Sequence, residues 1–137
     1  GLALPLRFAG SGPERHALER AGARVLGWLD RPALAAALAA ASVLVLPSRW
    51  QEPFGLAGLE ALRCGVPVAA WDSGGVREWH PGGDGLVPWG DLDGLAAALR
   101  KLAGRRARPA AGFEREALMV RLDEVYAAAA GAPPALR

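Results

Sequence analysis

Pro47-Ser48-Arg49-Trp50-Gln51-Glu52-Pro53-Phe54-Gly55-Leu56-Ala57-Gly58-Leu59-Glu60 follows directly on the aliphatic run Val43-Leu44-Val45-Leu46. Four such residues with no polar alternation predict a strand buried on both faces, the kind found in a parallel sheet covered by helices. Pro47 stops the run. Ser48 to Pro53 reads as a loop and Gly55 to Arg63 as a helix, closed by Cys64-Gly65, where the glycine suits a left-handed C-terminal position. In open α/β sheets, ligands bind where the carboxyl end of a strand passes into the amino end of a helix.

The same alternation extends in both directions. Downstream, Val66 to Ala70 reads as a strand, Trp71 to Gly75 as its loop, Val76 to Trp79 as a short helix, and Leu86-Val87 as a brief strand after the turn cluster Gly82 to Gly85. Asp91 or Asp93 caps a helix whose Leu92, Leu95, Leu99 and Leu102 share a face. A last helix, Phe113 to Ala130, puts Leu118, Leu122, Val125 and Ala129 on one stripe, and both stripes are expected in the core. Upstream, Leu4 to Ala9 is a strand, Pro13 opens a helix running to Ala21, Val25 to Trp28 is a second strand, and Asp30 caps a helix over Ala33 to Ala41 with Pro32 just inside it. Strands alternating with helices predict an α/β fold, a Rossmann-like parallel sheet with helices on both faces. Residues 1–130 form one domain and 131–137 a flexible tail.

Composition agrees with a single packed domain. The chain has 137 residues, 52% hydrophobic and 22% charged, which excludes a disordered polymer. Sixteen basic and fourteen acidic residues give a net charge of +2, too balanced for a surface that coats nucleic acid. Arg105, Arg106 and Arg108 read as a short solvated run. One cysteine, Cys64, excludes a disulfide framework and a multi-thiolate metal site, and its expected role is a buried, inert thiol. No apolar run reaches the ~20 residues that span a bilayer, and a cytoplasmic location is expected. His16 and His80 are isolated in sequence and read as surface or internally satisfied residues.

The chemistry sits at the amino end of the central helix. Unpaired backbone N–H groups and a partial positive charge suit a phosphate there. Gly55 and Ala57 let a ligand approach the backbone. Glu52 lies in the loop and Glu60 about five residues into the helix, roughly 7–8 Å further along its axis. A diphosphate bridging two sugars has about that reach. Carboxylates accept hydrogen bonds from sugar hydroxyls and repel phosphate, so they belong at the ligand's two ends. Spacing alone favours the plainer reading, with Glu52 complementing the helix dipole and Glu60 a solvated surface residue.

Glu52-Pro53-Phe54-Gly55-Leu56 through Glu60 resembles the Glu-x7-Glu motif of group 1 (family 4) retaining glycosyltransferases. Leu59 to Ala70 is similar to that family's helix, Gly-x-Pro turn and strand. Ser73-Gly74-Gly75-Val76-Arg77-Glu78 resembles its Gly-Gly-x-x-Glu segment, and Gly82 to Pro88 its Gly-x-x-Gly turn. Phe8 to Glu14, Val25 to Leu29 and Val125-Tyr126 extend the likeness over nearly the whole chain. The resemblance implies the C-terminal, donor-binding half of a GT-B fold. It implies that Glu52 is the catalytic carboxylate and holds donor sugar hydroxyls near the reacting carbon. Amides of Phe54 and Gly55 would face the sugar, those of Leu56 and Ala57 the distal phosphate, and Glu60 the ribose hydroxyls. The loop at Gly27 would lie beside the nucleobase, and Gly74 and Gly75 would shape the donor site's wall or simply turn the chain. No cofactor and no metal are implied; the nucleotide diphosphate sugar is the substrate.

The family's half begins with a strand and loop bearing an Arg and a Lys for the diphosphate, and this sequence does not show them. The strand is central in a doubly wound order, so a sheet lacking it has a gap with unpaired edges. The expected partners are therefore the donor, an N-terminal acceptor domain or partner chain, and a second copy if strands exchange. No nucleic acid is expected, and membrane contact only through the other half. The leading expectation is retaining transfer of a sugar from a nucleotide diphosphate sugar, with the isolated chain inactive. A nucleotide-sugar binding or regulatory module without transfer is the alternative, and an epimerase of GT-B shape a further one. A Rossmann dehydrogenase is disfavoured, because Gly10-Ser11-Gly12-Pro13-Glu14-Arg15 lacks the third glycine.

Overall fold

A computed structural model describes residues 4–131. Its elements, in order, are β1 (Arg7–Ala9), α1 (Arg15–Arg20), β2 (Arg24–Gly27), α2 (Arg31–Ala39), β3 (Leu44–Leu46), α3 (Leu56–Arg63), β4 (Val68–Trp71), α4 (Val76–Trp79), a 3-10 turn (Gly83–Gly85), β5 (Leu86–Val87), α5 (Leu92–Leu102) and α6 (Arg115–Ala129). The α/β expectation holds. Of the tail expected at 131–137, everything beyond Gly131 lies outside the described residues.

Local chemistry sets the boundaries. Asp30 accepts from Ala33 N–H at 2.9 Å and Asp91 from Gly94 N–H at 2.8 Å, so both aspartates cap the helices that follow them. At the end of α3, Gly65 takes φ +74°; its N–H reaches the Leu62 carbonyl and that of Val66 the Ala61 carbonyl, each at 2.9 Å. That pair of bonds closes the helix as expected of a left-handed glycine. Pro13 sits in a turn ahead of α1 instead of inside it, with Arg15 N–H on the Gly12 carbonyl at 3.2 Å. β1 is shorter than Leu4–Ala9 because Pro5 has no N–H for a ladder; pairing starts at the Leu6 carbonyl, which accepts from Arg24 N–H at 2.9 Å. Pro67 delays β4 to Val68 in the same way, and β4 runs on to Trp71.

All strand pairs are parallel, in two sheets: β1 with β2, and β3-β4-β5. Among the described residues no pairing joins them. β4 is the strand covered on both faces. Val68 and Ala70 face a core with Leu38 of α2, Leu59, Ala61 and Leu62 of α3, and Val76 and Trp79 of α4. Ala69 and Trp71 face a second core with Leu95, Ala98 and Leu99 of α5. β3 contributes alternately, Leu44 and Leu46 to the first and Val45 to the second.

Four expectations need correction, the last of them the burial of Cys64. β3 is half-buried throughout and not buried on both faces, because only β4 pairs with it. Leu92 is exposed at the first turn of α5, so the buried stripe there starts at Leu95. The stripe of α6 is not core: Leu118, Leu122 and Val125 are exposed and the helix buries no residue. Phe113, just before α6, supplies the anchor instead, its ring 5.6 Å from that of Phe54. Cys64 is half-buried, a free thiol.

Candidate functional site: the amino end of α3

Gly55 takes φ +82°, a left-handed conformation that turns the loop into α3. It is buried, and a Cβ there would stand 3.0 Å from Leu46 and 3.2 Å from Trp79. The helix then sorts its residues: Gly58, Leu59, Ala61 and Leu62 point inward, whereas Leu56, Ala57, Glu60 and Arg63 are exposed. Gly58 is placed so that any Cβ would overlap the Trp79 ring, and the Trp79 indole N–H donates to the Phe54 carbonyl. One tryptophan thus fixes both the helix and the loop entering it.

Gly58 N–H closes onto the Gly55 carbonyl at 2.9 Å. The amides of Leu56 and Ala57 precede it in the first turn, where a helix has no internal acceptors to offer. Leu56 is 65% exposed, so this end of α3 opens to solvent. Cavities of about 220 Å³ beside His80 and 370 Å³ between Arg63 and Phe113 are lined by residues other than Glu52 and Glu60.

Glu52 is half-buried and held at three points. The Ser48 hydroxyl donates to its Oε2 at 2.6 Å, Gly75 N–H donates to its carbonyl at 2.8 Å, and its own N–H reaches the Ser73 hydroxyl at 3.4 Å. Ser73 also donates to the Trp50 carbonyl at 2.8 Å. A Cβ on Gly74 would collide with the Glu52 carbonyl, and one on Gly75 with that of Pro53. These two glycines therefore let the loop after β4 run directly beneath the loop after β3. Glu60 is exposed, one helical turn beyond Leu56. Gly27 ends β2 at φ +74° with open space beside it, its carbonyl bonded to Gly10 N–H at 2.6 Å; Trp28, next to it, is 85% exposed.

The structure thus unites Glu52, Phe54, Gly55, Leu56, Ala57, Glu60, Gly74 and Gly75 in one loop-and-helix assembly, with Gly27 in the other sheet. Sequence reasoning missed Ser48, Ser73 and Trp79 as supports. Ser48 is four residues from Glu52 and could have been suspected; Ser73 and Trp79 meet the loop across 21 and 25 residues, which no local pattern reveals.

His80 is buried and fully partnered, Nε2 to the Val68 carbonyl and Nδ1 to Gly82 N–H, both at 2.9 Å. Burial lowers its pKa below the usual histidine value, against a smaller opposing effect of the Val68 bond. Among the described residues no group of three or more His, Cys, Asp or Glu side chains is placed to hold a metal ion, and no helix is long and apolar enough to cross a membrane.

Comparison with known proteins agrees with the fold. Residues 3–105 match the family described as "Glycosyl transferases group 1". The chain is 38% identical over 128 residues to a glycogen synthase of Mycobacterium tuberculosis, covering 84% of this chain and 30% of that protein. It is 43% identical over 92 residues to a D-inositol 3-phosphate glycosyltransferase of Mycobacterium avium, covering 64% of this chain and 21% of that protein. Among solved structures, a sucrose-phosphate synthase of Thermosynechococcus elongatus superposes with a TM-score of 0.72 at 29% identity, over 93% of this chain and 38% of the other. The matched stretches span between 21% and 38% of these relatives' lengths, and the chain belongs to the group 1 glycosyltransferases, as an α/β domain of GT-B type.

Proposed function

We propose that this chain is the nucleotide-sugar donor-binding domain of a retaining glycosyltransferase. The observation that carries this reading is an open helix amino end with one loop-held carboxylate, Glu52, before it and one exposed carboxylate, Glu60, along it. Glu52 accepts hydrogen bonds from sugar hydroxyls near the reacting carbon. Amides of Phe54 and Gly55 face the sugar, those of Leu56 and Ala57 the distal phosphate, and Glu60 takes the ribose hydroxyls. The base lies along the loop at Gly27, while Gly74 and Gly75 support the Glu52 loop from below.

On this reading catalysis is electrostatic. Charge develops on the departing diphosphate and is met by fixed amide dipoles and by cations from outside the described residues, with no resident metal or cofactor. Glu52 positions the donor and forms no covalent intermediate. The acceptor binds to a second, N-terminal half, and the protein works in the cytoplasm. A further strand, from a partner chain, a partner fragment or a second copy, pairs with the free edges of β1 and β3; their separate sheets support this.

Titration of the chain with UDP, GDP and ADP tests the core of the reading. One of them binds the wild type, and Glu60→Ala weakens it about tenfold, the loss expected for hydrogen bonds from hydroxyls to a charged acceptor. Unchanged affinity in the variant removes the ribose role.

A further inference from the structure

Glu52 is not free to turn. Its carboxylate is tied through Oε2 to the hydroxyl of Ser48, which is only 8% exposed. Ser48 is itself held from the other side, because its carbonyl accepts from the Trp89 indole N–H at 3.3 Å. The Trp89 ring leans on that of Trp71, with centroids 6.2 Å apart and planes at 58°. Trp71 is buried at the end of β4, and its own N–H donates to the carbonyl of Asp91, the residue that caps α5. A continuous line of contacts therefore runs from the second core, through Trp71 and Trp89, to Ser48 and the Glu52 carboxylate.

We propose that Ser48 and Trp89 are positioning residues for Glu52. Ser48 occupies one carboxylate oxygen and restricts the torsions of the side chain, so that Oε1 is the oxygen presented to the ligand, and Trp89 holds the Ser48 backbone in place. A glutamate free in solution loses rotamer freedom on binding a hydroxyl; one already held has lost it beforehand, and more of the interaction appears as affinity. Trp89 does this from a partly exposed position after β5, where nothing in the local sequence ties it to the α3 site. The inference rests on the donor-binding reading and adds to it the means by which the sugar end of the ligand is selected.

The experiment compares a nucleoside diphosphate with its own sugar conjugate on the 137-residue chain, by calorimetric titration with UDP against UDP-glucose and GDP against GDP-mannose. The ratio of the two affinities isolates the sugar end. In the wild type the conjugate binds more tightly, and Glu52→Gln removes that advantage. Ser48→Ala is expected to reduce the advantage about fivefold, the worth of one ordinary hydrogen bond, with the nucleoside diphosphate affinity unchanged. Ser48→Thr, which keeps the hydroxyl, restores it, and Trp89→Phe, which keeps a ring but loses the N–H, lowers it by about two- to threefold.

If Glu52→Gln removes the sugar advantage and Ser48→Ala leaves it intact, the positioning role is wrong and the donor reading survives. If Ser48→Ala weakens both ligands equally, Ser48 holds the loop as a whole and the inference is again overturned. If no nucleoside diphosphate binds the wild type, ADP included, or the conjugate of the one that binds has no advantage, the donor reading itself falls.

Discussion

β1 alternates exposed, half-buried, exposed, whereas all four residues of β4 are buried. Both strands are parallel, apolar in part and followed by a helix, yet the helices differ in the same sense: α1 buries no residue, and α3 buries four of its eight. A strand becomes core when strands flank it and helices cover both its faces, and β4 has β3, β5, α3 and α5 around it. Among the described residues, β1 has β2 on one edge and no paired strand on the other. The difference teaches that the site is anchored to the densely packed unit, and that the β1–α1–β2 unit buries little among the described residues.

The largest effect that would break this contrast is in the core. Leu62, 1% exposed, should cost about 2–5 kcal/mol when changed to Ala, through lost burial and the cavity left behind. Phe8→Ala, in half-buried β1, should cost roughly 1 kcal/mol or less. Urea unfolding with an unchanged m-value measures both, and equal losses would show that the two units are packed alike.

Amide exchange sharpens the comparison further. β4 amides should exchange only on global unfolding and β1 amides through much cheaper local opening. If copies exchange strands at the free edges, protection of β1 and β3 rises with protein concentration. Protection independent of concentration, with a monomeric mass in sedimentation, would exclude a second copy as the occupant of those edges.

The smallest effect is a pH dependence confined to the dense unit. His80 is held neutral between Val68 and Gly82, and its folded pKa is lowered, chiefly by burial. The unfolded chain thus takes up a proton that the fold refuses. The stability this contributes is complete above the ordinary value of 6.5 and is lost as pH falls through the lower, folded value. Wild type should therefore lose more stability than His80→Gln between about pH 7.5 and pH 5.5. Parallel curves would mean that His80 does not titrate differently in the fold.

Much of this architecture was legible because it is local. Asp30, Asp91 and Gly65 each act within a few residues of themselves, and all three ended or began helices as expected. Glu52 and Glu60 were found from spacing and from the resemblance their motif carries. What was not legible is what other segments do to a pattern. Val43 to Leu46 reads as the strand buried on both faces and Val66 to Ala70 only as the next strand, yet pairing makes the second the fully covered one. The stripe of α6 is real in sequence, but no described element lies over it. The clamps on Glu52 from Ser73 and Gly75 come from the next βα loop and leave no trace near Glu52 itself.

Alternate residues of β4 belong to different cores, with small alanines facing each side and one indole, Trp71, allowed on the α5 side only. A slip of one residue would drive that indole against α3 and turn Val68 toward α5, so side-chain bulk helps to pin where the strand stops. Where it stops determines how far the next loop reaches, and that reach brings Ser73, Gly74 and Gly75 under Glu52. The spacing of a carboxylate at the surface is thus metered by the girth of a side chain in the interior.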